Sequence, residues 1–98
     1  MNIPLSSDAI NHALTSLSGW QFSDDRLSKQ YKFKNFRQAL AFIVRISFEI
    51  EALNHHPEIH NVYGRVTIHL NTHDCGNKVT EKDVTLAQKI EALAASFV

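Results

Sequence analysis

The sequence predicts one α+β domain in the order α-β-β-α-β-β-α, with a four-stranded antiparallel sheet and three helices packed on one face. Three observations support this prediction. Apolar residues recur at helical spacing in three segments, they alternate at strand spacing in four others, and turn residues separate the two kinds of segment. The 98 residues suffice for one hydrophobic core but not for two, so we interpret residues 1–98 as a single domain.

The first half of the chain predicts one helix and two strands. The helix begins near Pro4 and ends at Gly19, where glycine tolerates a left-handed backbone. Its apolar positions lie four and three residues apart, at Ile10, Leu14 and Leu17. Residues 20–22 form a short strand, and residues 26–34 alternate at the strand period after an intervening turn.

The middle helix is predicted from its N-cap at Asn35 to about Asn54. Its apolar residues cover more than half of the helix circumference and include Phe36, Leu40, Phe42, Ile43, Val44, Ile46, Phe48, Ile50 and Leu53. A helix that covers only a sheet needs a narrower apolar stripe, so we expect this helix to join subunits of a homo-oligomer, either a dimer or a tetramer. We expect Phe42→Arg to disrupt that assembly. The alternative is a monomer in which the other two helices cover this one.

A hairpin and a final helix complete the predicted fold. Residues 59–63 and 66–72 alternate on either side of Gly64, which is typical of a β-hairpin. Thr80 and Asp83 form a capping box at the start of the last helix. That helix carries its apolar residues on one side, at Val84, Ala87, Ile90, Ala94 and Phe97.

The composition excludes several classes of function. Ten Lys and Arg balance ten Asp and Glu, so a direct contact with nucleic acid or a membrane surface is not expected. Residues 1–5 lack the features of a signal peptide, and no apolar run reaches membrane-spanning length. The single cysteine, Cys75, fits a reducing compartment, so we expect the cytoplasm and, in a eukaryotic host, also the nucleus.

Two adjacent histidines follow the middle helix. Glu51 and His55 are four residues apart and so share a face of its last turn, His56 is next, and Pro57 ends the helix. The partial negative charge at a helix carboxyl end favours protonated imidazole, so this position suits proton donors near neutral pH. The alternative is a helix that ends with two solvated histidines.

The other candidate residues are less distinctive. His73 follows Thr72 at the end of the hairpin, where a lone histidine is more often an ordinary surface residue. Capping alone explains Asp83. His12 and His60 have no chemical neighbours in the sequence, and His69 lies in the middle of a strand, on its polar face. We interpret all three as ordinary residues.

A metal site among His55, His56, His73 and Cys75 is not expected. Neighbouring side chains at a helix end point apart, and neither a His-x₃-His nor a Cys-x₂-Cys spacing is present. Cys75 near His73 permits a thiol nucleophile, but nothing nearby in the sequence supplies an oxyanion hole.

Taken together, these residues resemble the pterin-4a-carbinolamine dehydratase family. The matching residues are Glu51, His55-His56-Pro57-Glu58, Asn61-Val62-Tyr63, Thr72-His73, Thr80 and Asp83. The resemblance covers most of the chain, from about Leu27 to Ala94, and implies the same order of helices and strands. One departure is residues 74–80, about one residue longer than is common in the family, which predicts a differently shaped loop beside the site.

The resemblance implies a dehydratase in tetrahydropterin recycling. It removes water from a 4a-hydroxytetrahydropterin, gives the quinonoid dihydropterin and needs no metal or other cofactor. His56 and His73 are the implied acid–base pair, and His55 binds the pterin and assists proton transfer. The alternative is that His55 and His56 exchange these roles. The implied substrate-site residues are Glu51, Pro57, Thr72 and Asp83. Glu51 accepts hydrogen bonds from the pterin or orients His55. Pro57 fixes the backbone, and Asp83 orients a histidine.

Two other functions stay open at this stage. Some members of the family are also dimerisation cofactors of a homeodomain transcription factor, and the Phe36–Leu53 helix would suit such a protein partner. A domain of the same shape that binds a pterin without turning it over is the other alternative.

Overall fold

Three helices cover one face of a four-stranded antiparallel sheet in the computed structural model, which describes residues 3–97. The helices and strands are α1 (Ser7–Leu14), β1 (Gln21–Ser23), β2 (Arg26–Lys32), α2 (Phe36–Leu53), β3 (Glu58–Val62), β4 (Arg65–Leu70) and α3 (Glu81–Ala94). The predicted order and fold class are therefore confirmed. Between residues 3 and 97, none of the helices has the length and apolar character that crossing a bilayer requires.

The sheet has the strand order β1-β2-β4-β3, which places β4 between β2 and β3. Alternate residues of β4 are fully buried against the helices, namely Val66, Ile68 and Leu70. Thr67 and His69 lie between them and point to the opposite side of the sheet. The sheet therefore has one apolar face in the core and one open face that carries polar side chains.

The inner face of α2 forms the centre of the core. Its buried residues are three and four apart, at Ala39, Phe42, Ile46 and Ile50. Phe42 is fully buried, and its ring lies 5.1 Å from that of Tyr31, 4.8 Å from that of Phe33 and 5.7 Å from that of Phe97. The expectation that Phe42→Arg would report on a subunit contact is therefore wrong, because a charge at this position would disrupt the core itself.

A second apolar stripe on α2 faces away from the core. It consists of Phe36, Leu40, Val44 and Phe48, which are 51%, 42%, 59% and 64% exposed. These four residues, called the outer stripe below, are each four positions apart and so share one face of the helix. The width of the apolar arc in the sequence thus has two origins, a core face and a separate exposed face.

Glu91 of α3 joins the helix layer to β2. One of its carboxylate oxygens accepts hydrogen bonds from Trp20 Nε1 at 3.1 Å, Lys29 Nζ at 2.8 Å and the Tyr31 hydroxyl at 2.6 Å. Burial acts to raise the pKa of Glu91, but these three donors outweigh it and hold the pKa below its usual value. Burial and the Glu91 carboxylate raise the pKa of Tyr31 far above the usual range.

Some element ends differ from the predictions. α1 ends at Leu14 rather than at Gly19, because the next backbone amide, of Thr15, bonds the His12 carbonyl three residues back, and the Thr15 hydroxyl donates to the same oxygen. β4 ends at Leu70 instead of Thr72. α3 ends at Ala94, and Ala95–Phe97 continue as a short 3-10 helix.

Candidate active site

The backbone at the carboxyl end of α2 directs the side chains of the two adjacent histidines into different environments. Asn54 ends the helix with a left-handed backbone, φ 49° and ψ 47°, and Pro57 keeps the next segment extended. Successive side chains of an extended segment point to opposite sides. His55 is accordingly 7% exposed, whereas the side chain of His56 is 60% exposed. Neither of the two interpretations made from the sequence foresaw one buried and one exposed imidazole.

Asp83 is the partner of the buried histidine. Its carboxylate is fully buried, with Oδ1 lying 2.5 Å from His55 Nε2. The Thr72 hydroxyl donates to Oδ2 at 2.8 Å and the Thr80 backbone N–H donates to it at 2.9 Å, which confirms the predicted capping box. Since an ionised carboxylate only accepts, the proton of a neutral His55 lies on Nε2.

Three elements therefore meet at this one carboxylate. They are the end of α2, the segment after β4 and the first turn of α3, which contribute His55, Thr72 and Asp83. His56 directly follows His55, and His73 directly follows Thr72. The Asp83 carboxylate consequently holds the backbone next to both members of the predicted acid–base pair.

Glu51 contacts a different histidine from the one predicted. Its Oε2 lies 2.7 Å from Nε2 of His56, five residues further along the chain. Of the two roles expected for Glu51, the orientation of His55 is wrong, because the left-handed turn at Asn54 directs His55 inward to Asp83. A hydrogen bond from the pterin to Glu51 stays a prediction. Both members of the Glu51–His56 pair are exposed, so the pair contributes little to stability and can rearrange around a ligand.

His73 lies on an exposed loop. It begins a short 3-10 turn, His73–Cys75, and its Nδ1 is 3.2 Å from Asn77 Oδ1. Gly76 and Asn77 both have a positive φ, 67° and 61°, and a backbone bridge between Thr72 and Lys78 closes the loop. With Asn77 Oδ1 as acceptor, His73 carries its proton on Nδ1 and presents Nε2 as an acceptor.

A surface cavity of about 240 Å³ lies beside the exposed histidine. Its lining residues are Arg26, His56, Pro57, Glu58, His69 and Asn71. Arg26 and Asn71 were not predicted as site residues, because Arg26 begins β2, Asn71 directly follows β4, and the pairing of these two strands brings them together. The predicted alternation of residues 66–72, which puts Asn71 on the same side as His69, was the available signal for one of them.

The predicted site residues thus fall into three groups within the part of the chain that the structure describes. His55, Thr72 and Asp83 form one buried hydrogen-bonded group. His56 and Pro57 line the cavity, and His73 and Glu51 are exposed side chains outside its lining. The catalytic and substrate-binding roles of these residues stay predictions.

Two histidines that we interpreted as ordinary from the sequence, His60 and His69, contact each other and further polar residues. The rings of His60 and His69 are 5.5 Å apart, and His60 Nε2 lies 2.8 Å from Glu58 Oε1. His69 Nδ1 is 2.6 Å from the Ser28 hydroxyl. Burial and, next, the charge of Arg26 lower the pKa of His69, which favours its neutral form.

Comparison with known proteins agrees with the fold and the motif. Residues 3–93 match the family model described as pterin 4 alpha carbinolamine dehydratase. A protein of Opitutus terrae is 54% identical over 85 residues, which is 87% of this chain and 88% of that protein. One of Solibacter usitatus is 45% identical over 97% of this chain and 99% of its own length. Both carry the provisional name pterin-4-alpha-carbinolamine dehydratase.

Two solved structures are also similar. The crystal structure of a transcriptional coactivator/pterin dehydratase from Brucella melitensis has a TM-score of 0.89 and 39% identity, covering 94% of this chain and 99% of that one. A pterin dehydratase-like protein identified as a RuBisCO assembly factor in the alpha-carboxysome has a TM-score of 0.62 and 26% identity, covering 76% and 86%. The family match along nearly the whole sequence, together with this agreement in fold, shows that the chain belongs to the pterin-4-alpha-carbinolamine dehydratase family.

Proposed function

We propose that this protein dehydrates a 4a-hydroxytetrahydropterin to the quinonoid dihydropterin by histidine acid–base catalysis, in tetrahydropterin recycling in the cytoplasm. The 4a-hydroxyl leaves as water after it accepts a proton, and the neighbouring ring nitrogen loses one, so no electrons are exchanged with another molecule. The observation that carries the proposal is the buried Asp83 carboxylate, which holds His55 and the residue before His73 in fixed positions. Family membership supplies the reaction class.

The hydrogen bonds of the two exposed histidines suggest how the acid and base roles divide. His73 donates from Nδ1 to Asn77 and so offers the lone pair of Nε2, which suits it to take the proton from the ring nitrogen. Oε2 of Glu51 lies 2.7 Å from Nε2 of His56, and because an ionised carboxylate only accepts hydrogen bonds, this nitrogen is the donor and carries a proton that it can give to a leaving group. We therefore assign the base to His73 and the acid to His56.

The remaining residues hold the substrate and the histidines. His55 contacts the pterin and assists proton transfer, and its tautomer is set by Asp83. Thr72 aligns the chain before His73 through its own bond to Asp83, and Pro57 shapes the wall of the cavity. Glu51 is exposed enough to exchange its bond with His56 for one with the pterin.

The direct test is turnover of the carbinolamine itself. A pterin-dependent hydroxylase generates the substrate in situ, and its ultraviolet decay is followed with no added protein, with wild type and with His73→Ala. Wild type is expected to speed the decay, and the variant is expected to lose about 10²- to 10⁴-fold of that acceleration. His12→Ala, which removes an exposed imidazole from α1, is the matched control. Decay at the uncatalysed rate with wild type would refute the enzyme and favour the alternative that the protein binds a protein partner through the Phe36–Leu53 helix.

We also propose that the outer stripe of α2 joins two copies of this chain. Four exposed apolar side chains in a row on one helix form a large apolar patch, and such patches mark contact surfaces. Phe48→Arg is expected to lower the mass measured by light scattering, with Arg37→Gln, an exposed polar change on the same helix, as the control. A monomeric wild type, or an unchanged mass in Phe48→Arg, would contradict self-association and leave a different protein as the partner of this face.

A further inference from the structure

A compact group of three potential metal ligands lies on the open face of the sheet. Glu58 and His60 are two residues apart on β3 and so point to the same side. His69 of β4 is the direct cross-strand partner of Glu58, which brings it to that side as well. One ligand atom from each residue lies within 4.8 Å of the other two.

The donor set suits a first-row divalent cation. Two imidazoles and one carboxylate are ligands of Zn²⁺, which binds such atoms at about 2.0–2.2 Å in tetrahedral geometry. The ligand atoms of a tetrahedral site are therefore about 3.3 Å apart. Glu58 and His60 have half-exposed side chains, 55% and 58%, so small rotations can close the remaining gap.

The neighbouring strand orients the third ligand. Ser28 of β2 is paired with His69, and its hydroxyl lies 2.6 Å from His69 Nδ1. The two nitrogens of an imidazole lie on opposite edges of the ring, and β2 and β3 flank β4 on opposite sides. A ring whose Nδ1 bonds Ser28 keeps its other nitrogen, Nε2, available to a cation beside Glu58 and His60. A metal at Nε2 would leave Nδ1–H to donate to Ser28, the usual support of a ligating histidine.

We propose that Glu58, His60 and His69 bind a divalent cation of the Zn²⁺ class on the open face of the sheet. The site is separate from the set His55, His56, His73 and Cys75 that was considered from the sequence. It lies next to the candidate active site, since Glu58 and His69 line the same cavity as His56. It does not depend on the proposed dehydratase reaction, because its ligands are defined by strand pairing alone.

Arg26 competes with a cation at this position. Its guanidinium lies 3.4 Å from Glu58 Oε1, and its charge also acts on His69. Metal binding would displace this partly exposed side chain from Glu58. Arg26→Gln is therefore expected to tighten Zn²⁺ binding by several-fold, which is the opposite of the effect of removing a ligand.

The test is a Zn²⁺ titration of the whole protein, followed by calorimetry and by competition with a chromophoric chelator. Wild type is expected to bind one Zn²⁺, and His60→Ala and His69→Ala are each expected to weaken it at least tenfold. His12→Ala, which removes an exposed histidine from α1, should bind as wild type does. His60→Gln repeats the test with a polar side chain, and circular dichroism verifies that each variant is folded.

Co²⁺ provides a second readout that does not depend on activity. Its visible absorption reports the ligand field, so the bands seen with wild type should disappear in His69→Ala and persist in His12→Ala. Equal Zn²⁺ affinity in wild type, His60→Ala and His69→Ala would overturn the proposal. Loss of Zn²⁺ binding in His56→Ala or His73→Ala, with no loss in His60→Ala and His69→Ala, would also overturn the proposal, because the ion would then belong to the candidate active site.

Discussion

Replacing Asp83 by asparagine should move a proton within the His55 ring while preserving the fold. In the wild type, Oδ1 accepts from His55 Nε2, and Oδ2 accepts from the Thr72 hydroxyl and the Thr80 amide. An asparagine that keeps its oxygen toward those two donors presents its NH₂ group to His55. Nε2 must then accept, so neutral His55 carries its proton on Nδ1.

The expected loss of folding stability in each Asp83 variant follows from the number of hydrogen-bond donors that are left without an acceptor. Asp83→Asn keeps an acceptor for Thr72 and Thr80 and, once His55 changes tautomer, a donor for Nε2, so we expect it to lose mainly the charge-assisted part of these bonds, about 1–2 kcal/mol. Asp83→Ala leaves the three buried donors unpaired and should cost about 3–5 kcal/mol. If the proposed function holds, the wrong tautomer should also lower the dehydration rate by about 10²- to 10⁴-fold in Asp83→Asn.

Nitrogen NMR of the imidazole ring distinguishes the two tautomers, and urea unfolding measures the stabilities. The pyridine-like nitrogen of His55 is expected to be Nδ1 in wild type and Nε2 in Asp83→Asn. Asp8→Asn, a change of an exposed carboxylate in the first turn of α1, controls for the lost charge. An unchanged tautomer in Asp83→Asn, or equal destabilisation by the asparagine and alanine variants, would refute this account of Asp83.

Three further predictions concern stability. The pKa of Glu91 is lowered in the folded state, so its carboxylate stabilises the fold above the unfolded pKa, and this contribution is lost as pH falls through the folded pKa. The difference in unfolding free energy between wild type and Glu91→Gln, measured by urea unfolding, should therefore shrink in acid. A difference that stays constant with pH would contradict this prediction. Gly64→Ala should cost about 1–3 kcal/mol in the same assay, because the new Cβ would lie 2.6 Å from the Phe33 carbonyl oxygen; an unchanged midpoint would disprove that clash. Phe42→Ala should cost about 3–5 kcal/mol, against at most about 0.5 kcal/mol for the exposed Tyr63→Ala, and similar losses in the two would mean that Phe42 is not a core residue.

Local patterns in the sequence were sufficient for the fold class and for most of the element positions. The N-cap at Asn35 and the capping box of Thr80 and Asp83 are contacts between residues three apart, so the sequence contains both partners. The alternation around Gly64 predicts the hairpin for the same reason. Element ends were less accurate, because at Thr15 a side chain competes for a helix carbonyl.

The contacts of the candidate site depended on tertiary structure. Asp83 bonds His55 across 28 residues, and which histidine turns inward was decided by the left-handed backbone of Asn54 and by the position of Asp83 in the first turn of α3. The division of α2 into a core face and the outer stripe likewise depends on which side of the helix meets the sheet. The sequence could not separate the two faces, because apolar residues recur at the same helical spacing on both. The approach of His60 and His69 was decided by strand register, because a histidine pair across two strands leaves no spacing signal along the chain.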